Sequence, residues 1–232
     1  MKLAIMQPYF LPYIGYYQLI SAVDTFVVYD NIKYTKKGWI NRNRMLLNDT
    51  DTMFSLPLKK DSDFLDVAQR ELSDGFDRSK LLNQLKGAYS RAPYFAQTFP
   101  LLEHIVLCKE HNLFRYIYYS IVEMCAYLKI ATNIRISSEV TIDHELKAQE
   151  KVLALCHALK ASTYINAIGG MELYAREDFS KQGVMLKFIK SRPFEYPQFG
   201  AAFVPWLSIA DVLMFNPLSA VRECIASNYE LT

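Results

Sequence analysis

The sequence predicts an α/β fold, a mostly parallel sheet with a helical insertion at about residues 62–130. Three observations carry that prediction. Short apolar runs of strand composition alternate with helix-periodic segments on both sides of a central helical block. The first two runs, residues 3–6 and 25–29, are joined by one short helix, a β-α-β unit that closes right-handed with its strands parallel. The 232 residues are 51% hydrophobic, enough to bury a real core and to exclude a disordered chain.

Residues 3–6 are continuously apolar, as in a strand covered on both faces. Pro8 and Pro12 then forbid helix, and Gly15 marks its restart through residue 22. Residues 25–29 are β-branched and aromatic throughout, with Asp30 at their carboxyl end. From Asn31 to Arg44 the chain carries Lys33, Lys36, Lys37, Arg42 and Arg44 without an acid, together with Trp39, Asn41 and Asn43, and reads as a basic loop. Residues 53–58 form a third strand ending near Pro57. Residues 62–92 give two short helices broken at Asp74-Gly75, with Ser73 or Asp77 as cap. Residues 96–110 and 113–128 are longer helices, and Phe114, Ile117, Ile121, Met124 and Leu128 form a buried stripe on the second. A strand at 132–137, a helix at 143–159, strands at 163–166 and 184–189 and helices at 208–213 and 217–226 complete the pattern.

The net charge of +2 supplies no global field for nucleic acid or an anionic membrane, so any basic site is local. The four cysteines form no C-x-x-C pair and read as buried thiols of a reducing compartment. Gln7, Pro8 and Pro12 interrupt the first apolar run before it could act as a signal peptide, and no apolar stretch is long enough to span a bilayer; the expectation is a cytoplasmic protein without a membrane partner.

Four polar clusters fall at strand ends or in Gly/Pro loops, where a doubly wound sheet presents ligands: Gln7 with Tyr9, Tyr13 and Tyr16; Asp30 with residues 33–44; Asn166 with Gly169, Gly170 and Tyr174; and Tyr196-Pro197-Gln198 with Ser208 and Asp211. The four histidines lack ligand spacing, which points away from a metal. The G-x-S-x-G elbow, the phosphate loop and the G-x-G-x-x-G fingerprint are missing, and no cofactor is expected. What remains is a set of cations and aromatics suited to an anion on a planar group: Arg42 and Arg44 for bidentate contact, Lys36 and Lys37 as point charges, Trp39 for stacking.

The residues 7–16, the aromatic strand between Asp24 and Asp30, the block 36–44 and the late segments Tyr196-Pro197-Gln198 and 207–213 resemble the WbqC-like family of bacterial proteins. Around residue 170 the match is looser: relatives tend to carry a Gly, Ser and Asp-Tyr arrangement, here replaced by Gly169-Gly170-Met171-Glu172-Leu173-Tyr174, of which Gly170 and Tyr174 carry over. The resemblance implies work in surface polysaccharide synthesis, particularly of O-antigen, on a nucleotide-activated amino sugar, with transfer of an acyl or aminoacyl group such as glycine to the sugar amine. In that reading Tyr9, Tyr16 or Asp30 orients the amine, while Gln7, Lys36, Lys37, Trp39, Asn41, Arg42, Arg44, Gly170, Tyr174, Gln198, Ser208 and Asp211 bind substrate; an aminoacyl-tRNA is a candidate donor. The alternatives are an ATP-dependent nucleotidyltransferase-like enzyme and a non-catalytic sugar-nucleotide-binding module. Tyr13-Ile14-Gly15-Tyr16 is distantly similar to the His-x-Gly-His turn of the Rossmann-like adenylate-binding nucleotidyltransferases, but a phenol carries no positive charge at neutral pH, so adenylyl transfer by their usual means is not expected.

Overall fold

The computed structural model describes residues 1–200 and 202–232. Strand β1 (Lys2–Met6), helix α1 (Ile14–Ser21) and strand β2 (Thr25–Val28) form the opening β-α-β unit, with β1 and β2 parallel in the register Leu3 to Thr25 through Met6 to Val28. The chain returns to the sheet at β5 (Asn133–Ile136), then through helix α5 (Ala148–Ala158) to β6 (Thr163–Ala167), through the short helix α6 (Arg176–Lys181) to β7 (Met185–Ser191), and finally to β8 (Tyr229–Leu231). The six strands lie in the order β5-β2-β1-β6-β7-β8, all parallel except β8, which runs antiparallel to β7. The order reverses direction between β1 and β6. At such a switch point the loops leaving two neighbouring strands diverge to opposite faces and leave a crevice at the carboxyl ends.

Side chains alternate across this sheet with a period of two. Ala4, Phe26, Val28, Ile165 and Ile189 face the larger core. That core is shared with α1 and with α2 (Arg78–Tyr89), α3 (Phe95–Val106), α4 (Leu113–Leu128), α7 (Ile209–Phe215) and α8 (Leu218–Ser227). Leu3, Ile5, Val27, Tyr164, Leu186 and Phe188 face the smaller core against α5 and α6. Covering on both faces is why these strands read as apolar runs. Helix α4 has the bounds its stripe predicts: Asn112 Oδ1 accepts from Arg115 N at 3.0 Å at one end, and Lys129 turns left-handed at φ 58° at the other.

The stretch 42–58 departs from expectation. Residues 53–58 do not join the main sheet; β3 (Arg42–Leu47) and β4 (Thr50–Ser55) form a separate antiparallel hairpin. Its two-residue turn, Asn48-Asp49, has φ of 52° and 59°, the left-handed pair that a tight hairpin demands and that Asn and Asp tolerate. Arg42 and Arg44 are therefore strand residues rather than loop residues. The first short helix expected in 62–92 shrinks to a 3-10 turn at Val67–Gln69, and Asp77 caps α2 by accepting from Lys80 N at 2.9 Å. The helix expected at 143–159 begins only at Ala148, because Asp143 accepts from Glu145 N in a turn. The four cysteines are free thiols, and burial pushes Cys125 and Cys156 up to about 12. Among the described residues no helix is long and apolar enough to cross a membrane.

Candidate functional site

A cleft of about 500 Å³ opens at the switch point, between Met6 at the end of β1, Ala167 and Ile168 at the end of β6 and Ile189 to Ser191 at the end of β7. The other wall is the turn that follows β1, with Tyr9, Pro12, Tyr13, Gly15 and Tyr16.

That turn is held from below. Phe10 and Leu11 are fully buried, and Leu11 takes a left-handed φ of 43°. The Asn43 amide donates to Phe10 O at 3.2 Å and Leu11 O at 2.7 Å, and Ser208 Oγ donates to Leu11 O at 2.7 Å. Phe10 N donates to Ile40 O, and Ile209 N to Pro12 O. A buried carbonyl without a partner costs about 1–3 kcal/mol, so a strained turn stays in place only while β3 and the start of α7 supply these donors. Ser208 also caps α7, its Oγ accepting from Ala210 N at 3.2 Å.

Tyr13 closes one side. Its ring lies over the Cα of Gly15, where any Cβ would overlap its ring carbons and hydroxyl. From there its hydroxyl donates to Ser191 Oγ at 2.6 Å, and its ring packs on Trp206 with centroids 5.4 Å apart. The first turn of α1 beside it has no side-chain cap and no acidic residue. Backbone N–H groups at such an end favour an anion.

Both tryptophans of the chain lie at the rim, Trp39 at 42% exposure and Trp206 at 61%. The guanidinium groups of Arg44 and Arg42 stand 5.4 and 5.7 Å from the Trp39 ring centre. Arg44 pairs with Asp51 at 2.8 Å and donates to Trp206 O at 3.3 Å, while its Nε has no acceptor. Lys190 also lines the cleft, its side chain on the strand face opposite Ile189, and none of the lining residues is acidic. The rim therefore offers flat aromatic faces and positive charge to an anion bearing a ring.

The inner phenols are neutral. Burial raises Tyr9, and it raises Tyr16 well above the ordinary phenol value, with repulsion from Tyr9 and Cys125 adding to it. Tyr16 Oη donates to Gln7 O at 2.9 Å, and Tyr9 Oη faces Gln7 Oε1 at 3.4 Å. They can donate a hydrogen bond or provide a surface; as general bases they are out of range.

Tyr9, Tyr16, Trp39 and Arg44 thus meet in the cleft, with Gln7 behind the two phenols and Arg42 behind Trp39. The other expected site residues lie elsewhere. Asp30 is buried, its carboxylate accepting from Ser137 Oγ at 2.7 Å, Ser138 N at 3.0 Å and Ser138 Oγ at 2.5 Å, an arrangement that ties the end of β2 to the turn after β5. Lys36 is exposed and paired with Asp63 at 2.8 Å; Lys37 is exposed outside the cleft. Asn41 accepts from Tyr34 Oη and donates to Leu56 O, linking the two ends of the hairpin. Gly170 is buried where a Cβ would strike the Asn166 amide, and Tyr174 packs on Tyr164 and Phe179 at the opposite face of the sheet. Gln198 and Asp211 belong to a buried network in which Asp211 accepts from Tyr196 Oη at 2.7 Å, Gln198 Nε2 at 2.9 Å and Tyr89 Oη at 3.0 Å. Burial pushes the Asp211 carboxyl above its ordinary value, although all three donors pull it down. Ser208 acts through the turn and does not line the cleft.

Trp206, Lys190 and Ser191 were not legible as site residues. The usable signal was that the chain has only two tryptophans and the second lies in an irregular Pro/Phe-rich stretch before a helix. Among the described residues no group of three or more His, Cys, Asp or Glu is placed to hold a metal ion.

Residues 7–223 match the family model described as WbqC-like protein family. A protein of Mycobacterium tuberculosis described as uncharacterized is 29% identical over 220 residues, 93% of each chain. No solved structure matches.

Proposed function

The chain belongs to the WbqC-like family, and from that premise we propose that the switch-point cleft binds a nucleotide-activated amino sugar and holds its amine for acyl transfer from an activated donor, in the making of a bacterial surface polysaccharide such as O-antigen. The polysaccharide setting rests on the family; the ligand class rests on the cleft. One observation carries the ligand class: the chain's two tryptophans and the guanidinium of Arg44, held by Asp51 and Trp206 O, converge on one rim whose lining residues carry no acid. A base stacks on such a ring at a gain of about 1–3 kcal/mol, and a guanidinium suits a diphosphate.

In the reaction the sugar amine attacks the donor's acyl carbon, a C–N bond forms, the C–O or C–S bond of the donor breaks, and the departing alcohol or thiol takes the amine proton. The donor arrives activated, as an ester such as aminoacyl-tRNA or as a thioester, because no residue of the wall has a base to make it a nucleophile. The enzyme's contribution is then orientation. Adenylyl transfer from ATP draws no support, since Tyr13 and Tyr16 stand where an imidazole would be needed.

The lack of a carboxylate or imidazole on the wall favours one second reading, a sugar-nucleotide-binding module without turnover. Incubation with amino-sugar nucleotides and activated donors, including glycyl-tRNA, followed by mass spectrometry separates the two. A product heavier by one acyl group is expected. Nucleotide-sugar binding without product from any donor would select the binding module, and no binding at all would remove both.

A further inference from the structure

The cleft is not uniform. Its inner wall is buried and apolar: Leu19 is 1% exposed, Ile189 4% and Tyr16 6%, with the Met6 side chain beside them. The polar side-chain groups of this wall are spent internally, Tyr16 Oη on Gln7 O, Tyr9 Oη toward Gln7 Oε1, Tyr13 Oη on Ser191 and the Asn43 amide on Phe10 O and Leu11 O. Of the lining cations, Arg44 stands at the rim, its guanidinium 5.4 Å from the Trp39 ring centre. A base or a sugar pushed inward past the first turn of α1 would lose its water and find no side-chain partner on this wall, at a cost of several kcal/mol. An alkyl group would lose nothing, because a cavity lined by satisfied polar groups and hydrocarbon binds apolar matter.

We infer that the inner half of the cleft is an acyl-chain pocket, so that the donor's acyl group is an aliphatic chain of several carbons rather than glycyl, its carboxyl end directed outward to the rim at Arg44. The occupant's identity as donor rests on the transferase reading; the pocket itself does not. A polar aminoacyl group leaves this wall unfilled and its own ammonium unpartnered.

The test uses straight-chain carboxylates from butanoate to decanoate as probes, titrated into the full chain by calorimetry with tryptophan fluorescence alongside. Affinity is expected to rise about fourfold per methylene until the pocket is full, the ~0.8 kcal/mol of a buried CH₂. Met6→Phe and Ile189→Phe, each checked for folding by circular dichroism and thermal melting, shorten the chain length at which the rise stops. Affinity independent of chain length overturns the inference, and so does an unchanged length limit in a folded filled variant. Self-association that decanoate dissolves would assign the wall to a second copy and overturn it too. These readouts need no turnover, so an absence of product with every donor would sink the transferase reading without touching the pocket.

Discussion

Replacing Gly15 by Ala sets two effects of known size against each other. In a helix Ala is better than Gly by about 0.5–1 kcal/mol, and Gly15 lies inside α1. The added Cβ, however, would occupy the space of the Tyr13 ring. Displacing that ring removes the 2.6 Å hydrogen bond to Ser191, worth about 0.5–1.5 kcal/mol. It also removes the packing on Trp206 at 5.4 Å, worth a further 0.5–1.5 kcal/mol or so. The losses exceed the gain by about 1 kcal/mol, a fall of some 2–4 °C in melting temperature for a chain of this size. Binding responds far more, because the wall between α1 and β7 opens: affinity for a uridine or deoxythymidine diphosphate sugar is expected to fall more than tenfold. Urea unfolding gives the first quantity and tryptophan fluorescence titration the second, with Tyr13→Phe as the control that keeps the ring and loses only the hydroxyl. A Gly15→Ala protein stabilised by the full helix gain, with undiminished binding, would refute the placement of Tyr13 as a wall.

Trp39→Ala and Trp206→Ala should each weaken nucleotide-sugar binding by about 1–3 kcal/mol, roughly 5- to 150-fold in dissociation constant by calorimetry; Trp206→Phe leaves Trp39 as sole reporter, and its emission should still respond to ligand. Arg44→Lys keeps charge but loses the planar fork, so the preference for uridine diphosphate over uridine should shrink in competition titrations. Asp30→Asn should lower stability by about 1–3 kcal/mol in urea, because an amide nitrogen would face one of the donors from Ser137 or Ser138. Asp211, held above its ordinary value by burial, contributes stability that is fully present below about pH 4 and is lost as pH rises through its folded-state value. Asp211→Asn does not titrate, so its stability relative to the parent should improve over that window, as denaturation midpoints will show.

The main sheet was legible because its strands are covered on both faces and so appear as unbroken apolar runs, while α4 announces itself by a stripe and by Asn112. The hairpin was not. β3 reads RNRMLL, with charged and amide side chains at its start, and its partner pairs locally instead of joining the sheet, so neither period nor composition separated it from a basic loop. β8 is three residues long and gains its strand conformation from β7 alone. Within the site, Tyr9, Tyr16, Trp39 and Arg44 could be picked out because they are chemically conspicuous next to a strand end. Asp30, Ser208 and Asp211 were equally conspicuous, but a buried acid or hydroxyl is as useful to a turn or a helix cap as to a substrate, and only the partners distinguish the two. Trp206 was hidden because its place depends on how a long irregular segment returns to the hairpin.

The supports of the cleft come from distant parts of the chain: Leu11 O meets Ser208 Oγ across 197 residues, and Tyr13 meets Ser191 across 178. Contacts of that separation pay their loop closure before they return any energy, which makes them late events in folding. During synthesis the first strand, its turn and α1 emerge long before the residues that fix the turn's carbonyls exist. A chain made only as far as α1 therefore has a Pro-rich turn but no pocket, and the capacity to bind arrives at one moment, when the start of α7 docks.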